Sequence, residues 1–118
     1  MNYTLKLDHH FAAAHQLTNA YSSECNDFLH GHNWKIRVII KTNELKNNMV
    51  VDFKKIKEIV NQLDHRNLNQ ILDFEPTAEN ISKFLYEEIK KLNDNGGKKW
   101  EVTIVVWEAD GASISCEK

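Results

Sequence analysis

The stretch HGHNWKIRVIIKT, residues 30–42, alternates its side chains so regularly that it predicts one long strand. Its even positions, from His30 to Ile40, are histidine, tryptophan or branched apolar residues, whereas most odd positions are polar or charged. The preceding stretch YTLKLDHHFAAAH, residues 3–15, alternates in the same way, with its odd positions on the apolar face. The two stretches predict a hairpin of long strands. The residues between them, about 16–29, lack periodicity and form a long loop, and such loops in compact domains are often functional.

Two helices and two further strands are predicted after this hairpin. Asp52 can cap a first helix, and Pro76 with Thr77 opens a second one. The apolar stripe of the first helix consists of Phe53, Ile56, Ile59, Val60 and Leu63. Residues 100–107 form a strand, and a short final strand follows the turn at 110–111. We therefore expect one α+β domain over residues 1–118, with an antiparallel four-stranded sheet, two helices on one face and the order ββααββ. Its open edge strands favour oligomerisation that closes the sheet.

The composition excludes several classes of protein. The 118 residues suit one domain, and 15 basic against 17 acidic residues give a net charge of −2, which argues against nucleic-acid binding through bulk charge. The longest apolar runs are far too short for a membrane span, and the first ten residues lack the pattern of a signal peptide. Two cysteines are too few for a disulfide framework. We expect a cytoplasmic protein without nucleic-acid or membrane partners.

A metal site is predicted where the two long strands meet. The His-x-His pair His30 and His32 lies on one strand face, and His15 ends the neighbouring strand on the matching face. Three neutral imidazoles can hold zinc and leave a position open for substrate, whereas Cys25 as a fourth ligand would close the site. In an open site, Cys25 could act as a nearby acid–base or nucleophilic thiol, and it could also be buried and inert. The spacing alone leaves these alternatives open.

Six stretches in series resemble one known family over nearly the whole chain. They are FAAAH (11–15), Cys25 with HGHNW (30–34), MVVDF (49–53), LDHRNLN (63–69), PTAEN (76–80) and VWE (106–108). In this order they resemble the 6-pyruvoyl-tetrahydropterin synthase / 6-carboxy-tetrahydropterin synthase family, which has the tunnelling fold (T-fold). The resemblance implies the T-fold for this chain, and an open metal site rather than a closed one.

The same resemblance implies roles for the residues around the loop. His15, His30 and His32 correspond to the zinc ligands of the family, and Cys25 corresponds to its catalytic thiol. A thiolate can remove and return protons on carbon at neutral pH. Four residues separate Cys25 from the HGH motif, a spacing that differs among family members, and some branches use a glutamate instead. Glu24 is therefore the reserve candidate for the base.

The resemblance also implies which residues act on the substrate. Asp64 and His65 correspond to a paired acid and base, which in the family reach the site from a neighbouring subunit. Glu108 corresponds to the carboxylate that anchors the pterin in the family. A carboxylate suits this role because it can accept two parallel N–H bonds from the amino-pyrimidinone edge of a pterin. Thr77 and Glu79 correspond to positions that help to hold or orient the pterin. Without the resemblance, each would be interpreted as a helix cap or a solvated side chain.

The reaction implied by the resemblance is that of a zinc-dependent lyase. It converts 7,8-dihydroneopterin triphosphate to 6-carboxy-5,6,7,8-tetrahydropterin, acetaldehyde and triphosphate, on the route to queuosine. The alternatives are a 6-pyruvoyl-tetrahydropterin synthase, which eliminates triphosphate on the route to tetrahydrobiopterin, and a non-catalytic zinc-stabilised oligomer. The resemblance also implies a homohexamer of two stacked trimers with active sites between subunits. The candidates for binding the triphosphate are Lys35, Arg37, Lys54, Lys55 and Arg66.

Overall fold

The computed structural model describes residues 1–18, 28–93 and 99–118. Its elements are, in chain order, β1 (Tyr3–His15), β2 (His30–Thr42), α1 (Phe53–Asn61), β3 (Arg66–Asn67), α2 (Leu68–Ile71), α3 (Ala78–Lys90), β4 (Glu101–Ala109) and β5 (Ala112–Glu117). The two long strands form the predicted antiparallel hairpin, in which His15 lies opposite His30 and Phe11 lies opposite Trp34. This register is regular over its whole length, so the alternation read from the sequence is preserved to His15 and His30.

The sheet contains one strand more than the sequence predicts. Its order is β3-β1-β2-β4-β5, with antiparallel pairing except between β1 and β3, which are parallel. The four long strands match the predicted antiparallel sheet, but the two-residue β3 makes the whole a mixed five-stranded sheet, and the four-residue α2 adds a third helix. Both elements are too short to produce a periodic pattern. The backbone N–H of His65 donates to the carbonyl oxygen of Ala12 at 2.6 Å, which docks β3 on the edge of β1.

One hydrophobic core lies between the sheet and the helices. The even positions of β2 from Trp34 to Ile40 are fully buried, as are Ile104 and Val106 of β4. From the helices, α1 contributes Ile56 and Val60, and α3 contributes Ile81, Leu85 and Ile89. The long helices therefore cover one face of the sheet, as predicted. The other face carries the charged odd positions of β2.

The long helices begin at the predicted caps. Asp52 Oδ1 accepts a hydrogen bond from the backbone N–H of Lys54 at 2.9 Å, and Thr77 Oγ1 accepts one from that of Asn80 at 3.1 Å. Phe53 belongs to the predicted apolar stripe but is not buried with it, since the residue is 51% exposed. Phe53 lines a groove together with the first residues of β1 and residues 49–52. Within the described residues, no helix has the length and apolarity to cross a membrane.

Candidate metal centre

Three histidine side chains converge where β1 ends and β2 begins. The ring centroids of His15 and His30 are 4.5 Å apart, those of His30 and His32 are 4.8 Å apart, and those of His15 and His32 are 5.1 Å apart. All three pairs are edge-to-face, so the rings surround a common point instead of stacking. His15 is completely buried, and Trp34 packs edge-on against it with centroids 5.1 Å apart. The hairpin thus brings together the three histidines that the sequence singled out.

Backbone carbonyls set the tautomer of two of these histidines. His15 Nδ1 donates to the carbonyl oxygen of Pro76 at 2.7 Å, and His30 Nδ1 donates to that of Phe28 at 3.0 Å. A carbonyl oxygen only accepts, so the proton is on Nδ1 in both rings. The lone pair is then on Nε2, which is the arrangement that metal-binding histidines commonly use.

Glu108 joins the histidines from the end of β4. Its Oε1 lies 2.9 Å from Nε2 of His32 and 3.6 Å from Nε2 of His15. On β4, Glu108 shares the parity of the buried Val106, so its side chain emerges on the helix-bearing face of the sheet. The resemblance implied that Glu108 anchors a pterin, and it did not indicate that Glu108 also contacts the histidines. The sequence feature that could have indicated this position is the two-residue spacing of Glu108 from Val106, which places both on the same strand face.

Two opposing effects set the pKa values of His15 and His32, namely burial and the charge of Glu108. Burial lowers the pKa of His15, but contact with Glu108 and the hydrogen bond to Pro76 outweigh it, so the pKa is raised overall. Burial also lowers the pKa of His32, and there the Glu108 charge offsets only part of the effect, so the pKa remains below its ordinary value. Contact with His15 in turn holds the pKa of Glu108 below its usual range. The carboxylate is therefore ionised at neutral pH.

These four residues fit a divalent metal ion. One ligand atom from each of His15, His30, His32 and Glu108 lies within 4.8 Å of the others. Nε2 of His15 and Nε2 of His32 are buried without a hydrogen-bond partner of good geometry among the described residues. A buried nitrogen without a partner is costly, and coordination of a cation would satisfy it. Imidazole nitrogens with a carboxylate oxygen form a donor set that zinc commonly accepts.

The predicted acid–base pair lies at the neighbouring edge of the sheet. His65 Nδ1 is 3.0 Å from Asp64 Oδ2, and Asp64 Oδ1 accepts a hydrogen bond from the backbone N–H of Ala12 at 2.9 Å. The hydrogen bond from Ala12, with the contact to His65, lowers the pKa of Asp64. His65 has φ +58°, an uncommon conformation for a residue other than glycine, and its side chain is 82% exposed. Asp64 thus orients an imidazole that projects into solvent.

The segment before α3 contacts the histidine cluster through a hydrogen bond to His15. Thr77 caps the helix, as the sequence predicts, while the preceding Pro76 is buried and accepts the hydrogen bond from His15. Glu79 is an exposed residue in the first turn of α3, and its carbonyl oxygen accepts a hydrogen bond from Ser82 Oγ at 2.6 Å. The conformation at the start of α3 therefore positions His15 of the histidine cluster. The predicted thiol Cys25 and the reserve base Glu24 lie outside the described residues.

Comparison with known proteins places this geometry in a family. The sequence model of 6-pyruvoyl tetrahydropterin synthase matches residues 4–118. A dihydroneopterin monophosphate aldolase of Pyrococcus furiosus is 35% identical over 91% of this chain and 94% of its own length. A putative 6-carboxy-5,6,7,8-tetrahydropterin synthase of Archaeoglobus fulgidus is 37% identical over 72% of this chain and 74% of its own.

The fold agrees with the sequence matches. The structure of the 6-pyruvoyl tetrahydropterin synthase of Caenorhabditis elegans superimposes with a TM-score of 0.74 at 25% identity, over 100% of this chain and 96% of that one. The histidine cluster lies on the paired ends of β1 and β2, within the region that both comparisons cover. A match over nearly the whole chain, in sequence and in fold, shows that the chain belongs to the 6-pyruvoyl tetrahydropterin synthase family of pterin-processing enzymes.

Proposed function

We propose that this chain is a zinc-dependent lyase that converts 7,8-dihydroneopterin triphosphate to 6-carboxy-5,6,7,8-tetrahydropterin, acetaldehyde and triphosphate. The observation that carries the proposal is the convergence of three histidines and one carboxylate at the loop end of the sheet. Relatives named 6-carboxy-5,6,7,8-tetrahydropterin synthase support the choice of product; the one from Synechocystis is 34% identical over 78% of this chain. This product belongs to the synthesis of queuosine.

His15, His30 and His32 would hold the zinc ion through their Nε2 atoms. When bound, zinc supplies Lewis acidity, which polarises the side-chain hydroxyls of a pterin substrate and acidifies the adjacent C–H bonds. The carbonyl oxygens of Pro76 and Phe28 keep the rings of His15 and His30 in the ligating tautomer. Trp34 excludes water from one side of the cluster, since it is fully buried against His15.

Substrate handling is assigned to the remaining residues. Glu108 would accept two N–H bonds from the pterin edge, and its place beside the histidines would hold the side chain of the pterin next to them. Cys25 would exchange protons with the carbon atoms, with Glu24 as the alternative base. Asp64 would keep His65 correctly oriented for acid–base work, as their 3.0 Å contact allows. A thiolate base requires a reducing compartment, so we propose a cytoplasmic location.

Two residues at the start of α3 would help to orient the pterin. Thr77 already uses its hydroxyl as the helix cap, so it would act through the position of the helix. Glu79 is exposed in the first turn of α3 and is available for a contact with the ring. Both lie close in sequence to Pro76, whose carbonyl oxygen holds His15. The start of α3 would thereby position both the bound pterin and the imidazole of His15.

A second candidate reaction is the aldol cleavage of 7,8-dihydroneopterin monophosphate. It is favoured by the aldolase of Pyrococcus furiosus, which this chain matches over nearly the whole length of both. A base would take the proton of the 2′-hydroxyl, the C1′–C2′ bond would break towards the C6=N5 imine, and C1′ would take up a proton. The products would be 6-hydroxymethyl-7,8-dihydropterin and glycolaldehyde phosphate. Formation of a 6-pyruvoyl product is the third candidate reaction, because the matching family model is that of 6-pyruvoyl tetrahydropterin synthase.

We further propose a homohexamer of two stacked trimers. Residues Tyr3 to Ala12 of β1 lie beyond the short pairing with β3, and β5 ends the opposite side of the sheet. Both edges can accept a strand from another copy, and closing them into a barrel would remove two exposed edges. The 82% exposed imidazole of His65 could then serve a site shared with a neighbouring subunit. Light scattering during size-exclusion chromatography measures this directly, and a monomer would contradict it.

The test of function is product analysis by mass spectrometry. The zinc-loaded protein is mixed with 7,8-dihydroneopterin triphosphate and, separately, with the monophosphate. Acetaldehyde with 6-carboxy-tetrahydropterin from the triphosphate supports the first proposal, and glycolaldehyde phosphate from the monophosphate supports the second. A 6-pyruvoyl product would select the third outcome. Absence of turnover with either substrate while zinc is bound would contradict a pterin lyase and favour a non-catalytic zinc-stabilised oligomer.

A further inference from the structure

The chain that leaves His15 is held by side chains from two distant segments. β1 ends at His15, which is paired with His30, so Gln16 and the residues after it lie beyond the strand ladder. Asn69 contacts Gln16 across 53 positions of the chain, and Glu75 contacts Thr18 across 57. Strand ends open more readily than strand centres. These two contacts are therefore placed where the end of β1 needs support.

Asn69 extends the pairing of β1 beyond its backbone partners. β3 pairs with β1 at Ala13 and Ala14. Two residues further on, Asn69 Oδ1 accepts a hydrogen bond from the backbone N–H of Gln16, and Asn69 Nδ2 donates one to the carbonyl oxygen of Gln16, both at 2.8 Å. A side-chain amide that bonds both backbone groups of one residue supplies what a neighbouring strand would supply. Asn69 thus fixes the residue directly after His15.

Glu75 holds the same stretch of chain two residues later. Its Oε1 accepts hydrogen bonds from the backbone N–H of Thr18 and from the Thr18 hydroxyl, the latter at 2.9 Å. The next residue, Pro76, accepts a hydrogen bond from His15 Nδ1 at 2.7 Å. The carbonyl oxygen of Glu75 accepts one from Asn80 Nδ2, in the first turn of α3, at 2.9 Å. The start of α3 therefore fixes a dipeptide that contacts both the ring of His15 and the chain beyond it.

The direction of the His15 ring depends on the backbone that these contacts hold. An imidazole turns only about its two side-chain bonds, and Nδ1 of His15 is already bound to the Pro76 carbonyl. The direction of Nε2 consequently follows the backbone of His15. A functional side chain has to be held within about 0.5 Å of its working position. A shift of the backbone at Gln16 would move Nε2 away from the other ligand atoms of the cluster.

We infer that Asn69 and Glu75 are positioning residues that keep Nε2 of His15 directed at the metal ion. The inference rests on the metal site of the proposed function, because it takes His15 as a ligand. Asn69 acts through the backbone after His15, and Glu75 acts through that backbone and through Pro76. Residues that orient metal ligands typically contribute about 10- to 100-fold to metal affinity. We expect about tenfold for each, since both act through intervening backbone.

The test measures the dissociation constant for zinc by competition with a zinc-binding dye, together with the visible spectrum of the cobalt(II)-substituted protein. Both are recorded on the whole chain. Asn69→Ala and Glu75→Ala should each weaken zinc binding about tenfold and change the cobalt spectrum, which reports the arrangement of the ligands. Gln70→Ala and Glu87→Ala are the matched controls, because both residues are exposed and lie on the same helices, α2 and α3. Neither control should change the affinity or the spectrum.

Conservative variants distinguish the two hydrogen-bonding patterns. Glu75→Gln should restore zinc affinity and the cobalt spectrum, since an amide oxygen can accept both hydrogen bonds from Thr18. Asn69→Asp should not restore them, because a carboxylate cannot donate to the carbonyl oxygen of Gln16. If Glu75→Gln binds zinc as weakly as Glu75→Ala, the inference is wrong for Glu75. If Asn69→Asp binds zinc as tightly as the unmodified protein, it is wrong for Asn69.

A purely structural role of these contacts predicts a different result. It would lower the urea midpoint of the metal-free variants, while the zinc dissociation constant of the folded protein and the cobalt spectrum stayed unaltered, and this would overturn the inference. Thr18→Ala is the milder variant for the case that an alanine at Glu75 prevents folding, because it removes one donor from an exposed residue. It should weaken zinc binding about two- to threefold, and an unchanged affinity would again overturn the inference.

The outcomes separate this inference from the proposed function. If the unmodified protein binds zinc and forms a pterin product, but the alanine variants bind zinc equally tightly, the inference fails while the proposed function stands. If zinc affinity follows the predicted pattern and no pterin substrate is turned over, the lyase reaction fails while the positioning roles stand. If the unmodified protein binds no zinc, both fail.

Discussion

Replacing His15 with alanine should separate the structural and metal-binding roles of the histidine cluster. His15 is completely buried and donates to the buried Pro76 carbonyl, whereas His30 is half-buried and donates to the carbonyl of Phe28. The truncation of a buried ring costs about 3 kcal/mol, and the orphaned carbonyl costs about 1–3 kcal/mol more. Removal of the unpartnered Nε2 returns a similar 1–3 kcal/mol. The net loss of unfolding free energy in the metal-free protein is about 3 kcal/mol.

His30→Ala should lose less metal-free stability than His15→Ala, but both variants should lose the same stabilisation by zinc. Its truncation in the metal-free protein should cost less than about 1 kcal/mol, because the ring is partly solvated. Zinc at a thousandfold excess over its dissociation constant should stabilise the unmodified protein by about 4 kcal/mol. Both variants should lose this increment, since each lacks one of the three imidazole ligands. His10→Ala is the matched control, because His10 is exposed and on the opposite strand face.

The assay is urea unfolding of each variant with chelator and with zinc, together with metal content by mass spectrometry. A zinc increment that persists in His30→Ala would refute the ligand set. Equal metal-free stabilities of His15→Ala and His30→Ala would refute the energetic argument, since the buried hydrogen bond of His15 would then contribute nothing. A loss of the stabilisation by zinc in His10→Ala would show that zinc binds outside the histidine cluster.

Three further changes test single residues of the site. Glu108→Gln should keep zinc bound by the three histidines but abolish pterin binding by calorimetry; a fall in zinc content would instead make Glu108 a ligand. Thr77→Ala should lower the unfolding free energy by about 1 kcal/mol through loss of the cap to Asn80, and Thr77→Ser should restore it; an unchanged stability would contradict capping. The Ala12 hydrogen bond holds the pKa of Asp64 below 3.8, so its charged form stabilises the fold above about pH 4 and this contribution is lost as the pH falls through the lowered pKa. The stability difference from Asp64→Asn should therefore vanish in acid, and a difference that persisted there would refute the charge argument.

The hairpin and its histidines could be predicted because strand periodicity is a local property. Alternation in residues 3–15 and 30–42 determines which side chains share a face, and the regular register places His15 opposite His30. Caps such as Asp52 and Thr77 were predictable for the same reason, since each depends on a hydrogen bond to a residue two or three positions away.

The remainder of the site depends on contacts between distant segments. Glu108 joins the cluster only because β4 pairs with β2, and a glutamate at a strand end is ordinarily solvated. β3 exists because His65 and Asp64 hydrogen-bond to Ala12, more than fifty residues away, which no local pattern reveals. The exposure of Phe53 also follows from its tertiary surroundings, because its helical position alone places it with Val60 on the apolar stripe.

The most direct measurement is X-ray absorption at the zinc edge of the resting, zinc-loaded protein. An open site held by His15, His30 and His32 predicts nitrogen and oxygen neighbours only, at about 2.0–2.1 Å, with solvent or Glu108 completing the set. No sulfur should be bound to the zinc ion, so that one coordination position remains for the substrate. A sulfur atom at about 2.3 Å would make Cys25 the fourth ligand and contradict the open catalytic site on which the proposed reaction depends.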